Sequence, residues 1–123
     1  MRMLLVCALL TAVPIEAAAP APVARIDVVA KPEAYIGKCP ANVSFIATLH
    51  LARWPVTVQY HWERSDGTRT KRERVEVRGA RHSLTDLRRV GAHGQRLHVW
   101  ERLHVTAPNA ISSHQARAIV TCR

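Results

Sequence analysis

Apolar and polar residues alternate along most of this 123-residue chain. The cleanest run covers residues 56–63, where Val56, Val58, Tyr60 and Trp62 share one parity and Thr57, Gln59, His61 and Glu63 the other. Successive side chains of a strand point to opposite faces, so the run predicts a half-buried strand with Trp62 inward. Asp66-Gly67 follows it and supplies the positive-φ residues that a tight hairpin prefers. The alternation returns over 41–51, with Val43, Phe45, Ala47, Leu49 and Leu51 inward. It returns again over 95–106, with Leu97, Val99, Leu103 and Val105 inward and His98, Trp100, Arg102 and His104 outward. Residues 113–122 close the chain with Ala116, Ala118, Val120 and Cys122 inward, and 24–30 open it with Ala24, Ile26 and Val28 inward.

The segments between these runs are less regular. Lys31-Pro32 ends the first strand, because proline cannot donate to a ladder, and 33–40 reads as a loop holding Gly37 and Cys39. Trp54-Pro55 makes a corner. Over 68–79 only Val75 and Val77 offer apolar parity, which predicts a charged edge strand of the kind that resists edge-to-edge pairing. Leu84 and Leu87, three apart within 81–90, fit either a strand or a short helical turn. The total is about seven strands with no amphipathic helix, which favours an all-β sandwich over any α/β arrangement.

The first residues belong to a different pattern. Met1-Arg2 is a short positive start, residues 3–13 are almost uninterruptedly apolar, and Glu16-Ala17-Ala18-Ala19 ends in small residues, the form of a cleavable secretory signal. The apolar run is too short for a bilayer, which takes ~20 residues. The expected organisation is therefore a signal peptide over 1–19 and one domain over 20–123, secreted or periplasmic, with no transmembrane segment in the mature chain. Cys7 lies too near the start for a lipoprotein signal to precede it. With Cys7 removed, Cys39 and Cys122 remain, most simply as one disulfide in an oxidising compartment. Closing a loop of roughly 80 residues in that way is worth up to ~4.5 kcal/mol. Two reactive thiols are the alternative, although neither cysteine sits in a Cys-x-x-Cys context.

Ordered together, several segments resemble a family of small exported bacterial immunoglobulin-like domains. They are Tyr35-Ile36-Gly37-Lys38-Cys39-Pro40, the run from Val58 through Trp62 to Gly67, Trp100 through Pro108-Asn109, and the terminal Thr121-Cys122. The resemblance implies an immunoglobulin-like antiparallel sandwich with a Cys39–Cys122 bridge, and no activity that carries over. Glu101 departs from it by holding an inward parity where such strands carry an apolar residue; a bulge or a rim position would accommodate the carboxylate. Asn42-Val43-Ser44 matches the glycosylation sequon, idle in a chain of bacterial character.

Charge and histidine content add candidate chemistry. The net charge is +9 and is unchanged once Arg2 and Glu16 leave with the signal. Such a charge favours acidic partners, among them acidic polysaccharide, lipopolysaccharide, nucleic acid or an acidic protein, while arginine-rich composition alone also produces it. The candidate basic edge is Arg69, Lys71, Arg72, Arg74 and Arg78, diluted by Glu73 and Glu76. If the strands carrying Trp62, Trp100 and Cys122 adjoin in one sheet, their outward residues form a second candidate face, with His61, His98, Trp100, Arg102, His104 and Arg117 at its centre. An exposed Trp beside Arg has hot-spot composition, and the histidines would add charge near pH 6.

Catalytic and metal chemistry find little support. The seven histidines show no His-Glu-x-x-His or Cys₂His₂ spacing. His98 and His104 lie about 20 Å apart along one strand, which leaves only a cross-strand site with His61. Ser65, Asp66 and His61 are close in sequence but lack a nucleophile elbow, and an Asp bonding its own turn is the better reading. The sequence thus predicts an exported binding or structural module with no catalytic residues and no cofactor. A polyanion binder and a metal-dependent or hydrolytic enzyme are its alternatives.

Overall fold

The computed structural model describes residues 7–13 and 19–123. Of the expected signal, residues 7–13 and Ala19 carry no regular secondary structure; the rest of that expectation lies outside the described residues. No described helix is long and apolar enough to cross a membrane.

The described residues form nine strands: β1 (Val23–Lys31), β2 (Ala34–Gly37), β3 (Ala41–Leu51), β4 (Val56–Arg64), β5 (Glu73–Val77), β6 (Arg81–Val90), β7 (Arg96–Ala107), β8 (Ile111–Ser112) and β9 (Ala116–Cys122). They form two sheets, one ordered β1-β3-β6 and the other β2-β9-β7-β4-β5, with β8 paired to β7. This is the all-β sandwich that the alternation predicts, with the neighbours β4, β7 and β9 in one sheet and β5 at its edge. Pairing is antiparallel throughout except between β2 and β9, which run parallel. The expected loop at 33–40 therefore contains a strand. It is short and exposed, held by the ladder to β9 rather than by its own pattern.

The core follows the parities. Val43, Phe45, Ala47 and Leu49 of β3 face Val58 and Trp62 of β4, Leu103 and Val105 of β7, and Ala118 and Val120 of β9, all buried. Burying such apolar surface, at ~25 cal/mol per Å², is the main force joining the sheets. In β1 the parity slips once: a bulge between Val23 and Arg25 turns Val23 inward and leaves Ala24 exposed, contrary to expectation. A reciprocal pair of hydrogen bonds fixes that end, with Val23 N donating to Asn109 Oδ1 and Asn109 Nδ2 donating to Val23 O, both at 3.0 Å.

Residues 81–90 are a strand, not a helical turn. Leu84 and Val90 are inward and Leu87 is exposed on the opposite face. The hairpin after β4 also differs in detail. Only Gly67 has a positive φ (85°); Asp66 does not share it and instead accepts hydrogen bonds from Thr68 N at 2.9 Å and Thr68 Oγ1 at 2.6 Å.

Cys39, in the β2–β3 connection, is bonded to Cys122 at the end of β9, with Cα atoms 5.4 Å apart. Gly91, directly after β6, sits against this bridge. It has φ +94°, and a Cβ there would lie 2.5 Å from Cys122 Sγ and 3.1 Å from Cys39 Sγ.

Candidate functional site

Cross-strand register decides which polar residues meet. On the outward face of the larger sheet His61 lies opposite His104, Glu63 opposite Arg102, Trp100 opposite Arg117 and His98 opposite Ile119. These residues therefore share one side of the sheet, where they gather into two groups. His61, Arg102 and His104 surround Glu63, whereas His98, Trp100 and Arg117 lie further along the strands. Trp100 is half-buried and Arg117 Nη2 donates to Gln115 Oε1 at 2.8 Å.

The first group is tightly connected. The His61 and His104 rings stack with centroids 5.0 Å apart. His104 Nε2 is 2.7 Å from Glu63 Oε2, His104 Nδ1 is 2.6 Å from Ser112 Oγ, and Arg102 Nη1 is 3.8 Å from Glu63 Oε2. Ser112 reaches the cluster because β8, only two residues long, pairs with β7 and sets Ser112 opposite His104. The hydrogen bond from His104, and then the nearby Arg102 and Arg69 charges, hold the Glu63 carboxyl below its usual range. His61 is lowered by desolvation first and then by the charges of His104, Arg69 and Arg72, against an opposing pull from Glu63.

Arg69 belongs here too. A backbone β-bridge sets it opposite Glu63 across the hairpin, and it shares the lining of one groove with His61 and His104, so the candidate basic edge adjoins the histidine face. Arg74 pairs with Gln59 on that same side. The acidic residues of the edge dilute it less than expected. Glu73 shares the inward parity of Tyr60 and accepts from its hydroxyl at 3.3 Å, while Glu76 binds Arg78 at 3.0 Å. Arg69, Lys71, Arg72 and Arg74 make no ion pair among the described residues.

Between edge and face opens a groove of about 410 Å³. Its lining is His61, Arg69, His104, Ser112, the Val105–Thr106 stretch, Ala110 and Ile111. That volume falls in the ~300–1,000 Å³ range of small-ligand sites. Among the described residues no group of three or more His, Cys, Asp or Glu is placed to hold a metal ion. Ser65 and Asp66 take no part; hydrogen bonds from Thr68 and nearby Arg88 and Arg64 keep the Asp66 carboxyl below its usual range. Sequence reasoning missed Ser112 and set Arg69 apart, because both reach the groove through pairings that no periodicity marks.

A second polar cluster lies inside the sandwich. Glu101 is completely buried, at 0 % exposure, on a strand that runs through it without a bulge. It is thus neither bulged nor at the rim. Opposite it, β6 carries Asp86 and Arg88 at inward positions, and β4 ends in Arg64. Arg64 grips Asp86 through Nε at 3.1 Å and Nη2 at 3.0 Å. The nearest guanidinium nitrogens to Glu101 are Arg64 Nε and Arg88 Nη1, both at 3.9 Å, and neither carboxyl oxygen has a donor. Its remaining polar neighbour is the Asp86 carboxylate, another acceptor, so this contact needs a proton between them. Burial first, and then Asp86, push the Glu101 carboxyl up to about 9.

Comparison with protein-family models and with curated proteins finds no match to this chain.

Proposed function

We propose that this chain is an exported binding module, working outside the cell or in the periplasm, whose larger sheet takes acidic partners on its outward face. The observation that carries this reading is the row Arg69, Lys71, Arg72 and Arg74, which makes no ion pair among the described residues and reaches the His61–His104 groove through Arg69. A net charge of +9 steers anions toward such a surface. The disulfide fits an oxidising compartment, and the signal-like start supplies the route there. An acidic surface polymer or an acidic protein face is the partner class.

Retention on a sulfated polymer matrix tests the reading. Arg72→Ala/Arg74→Ala should elute at clearly lower salt than the wild-type protein, because each exposed contact is screened. Equal elution would overturn it. The chain Glu63–His104–Ser112 favours a second reading, because acid, imidazole and hydroxyl in that order activate the nucleophile of serine hydrolases. Ser112 Oγ would attack the carbonyl of an ester held in the groove and pass its proton to His104 Nδ1, which returns it to the departing alcohol as the C–O bond breaks, and water would then release the acyl group. Fluorophosphonate labelling of Ser112 that is lost in His104→Gln would establish this activity, and absence of label removes it.

A further inference from the structure

The groove has features that bulk positive charge does not require. Two imidazoles face each other at 5.0 Å. One of them, His104, is held at both nitrogens, by Glu63 at 2.7 Å and by Ser112 at 2.6 Å. The other, His61, makes no hydrogen bond among the described residues and lines the open groove beside Arg69. The lining combines the Arg69 guanidinium and the two imidazoles with the apolar side chains of Ile111, Ala110 and Val105. One guanidinium with imidazole donors beside it, together with apolar carbon, suits a ring-sized ligand bearing a single negative group.

We propose that this groove is a subsite for one sulfate-ester or carboxylate group on a sugar-sized unit, and that seating it is coupled to uptake of a proton at His61. This rests on the reading of the face as a binder of acidic partners and adds the ligand unit and the linkage.

The coupling follows from the charges around His61. On its own strand it faces Glu63. From the β4–β5 connection it faces Arg69 and Arg72, and from β7 it faces His104, with Arg102 beyond. β8 contributes only the neutral Ser112. Burial first, and then His104, Arg69 and Arg72, disfavour the charged imidazole, and Glu63 favours it. An anion placed between Arg69 and the stacked rings offsets that repulsion at its source. Protonated His61 then favours the anion by the same factor, since linkage between two binding events is reciprocal. Glu63 cannot serve as the anion itself, because its carboxylate is engaged by His104 and Arg102.

The test follows the His61 Hε1 resonance by NMR from pH 5 to pH 8, alone and with glucose 6-sulfate, glucuronate or glucose, whose charges stay constant over that range. The midpoint of His61 should rise by about one pH unit with a charged sugar and stay put with glucose. Each unit corresponds to about tenfold tighter binding in acid. Whichever charged sugar produces the shift identifies the anionic group. His61→Gln should bind the same sugar with no pH dependence beyond that of the other groups, and Arg69→Ala should abolish the shift. A His61 midpoint unmoved by either charged sugar would overturn the subsite. If the sulfated matrix still retains the protein in that case, only the subsite fails; if it does not, the binding face fails with it.

Discussion

Glu101→Gln offers the sharpest check on the interior of this domain. The native carboxyl sits at 0 % exposure with no donor on either oxygen, and its pKa rises from 4.5 to about 9 on folding. Below pH 4.5 the group is protonated in both states and costs nothing through titration. Between the two values the unfolded chain releases the proton and the folded one keeps it, so stability falls as pH rises, by ~1.4 kcal/mol per unit. By pH 7 the loss is about 3 kcal/mol relative to acid, and it levels off only above the folded value. Glutamine keeps the shape, supplies an N–H toward Asp86 and has no proton to lose. The variant should therefore match the wild type near pH 4.5 and exceed it by about 3 kcal/mol at pH 7, with the gap still widening at pH 8.5. Urea unfolding of the oxidised proteins, followed by tryptophan fluorescence, reads this difference, and histidine and surface titrations cancel between the two curves. A constant offset across pH would refute the reasoning. It would mean that Glu101 is ionised in the folded protein and held by Arg64 and Arg88 despite their 3.9 Å separations.

Other perturbations follow from the same packing. Gly91→Ala should destabilise at least twice as much as Gly94→Ala. Both glycines have positive φ, worth about 1–2 kcal/mol to an alanine, but only at Gly91 would the new Cβ meet the disulfide sulfurs, at 2.5 and 3.1 Å; equal urea midpoint shifts would contradict this. Replacing Cys39 and Cys122 by alanine should cost ~4.5 kcal/mol through the freed loop, and alkylation without reductant should leave both cysteines of the native protein unmodified in the mass spectrum. Trp62→Ala should lose ~3–5 kcal/mol as a large core cavity, and Trp100→Ala much less because its ring is half-buried; similar losses would mean that β7 carries Trp100 inward.

The five long alternating runs were legible because a strand's period of two marks its buried face wherever that face is apolar. Residues 41–51 and 56–63 needed nothing more, and the Cys39–Cys122 pairing followed from elimination together with the family resemblance. Where the inward face carries charge the signal fails. Asp86 and Arg88 hid the strand at 81–90, and Glu101 looked like an interruption, because its place in the core depends on Arg64 and Asp86 arriving from other strands. The short β2 and β8 have too few residues to show a period, and ladders to β9 and β7 alone make them strands. The groove depends on the same kind of event. His61 and His104 could be assigned to one face from their parities, but cross-strand register set them ring to ring. The hairpin brought in Arg69 and the β7–β8 pairing brought in Ser112. A sequence specifies which side of a strand each residue takes; which residue stands opposite is decided only when strands distant in the chain come into register.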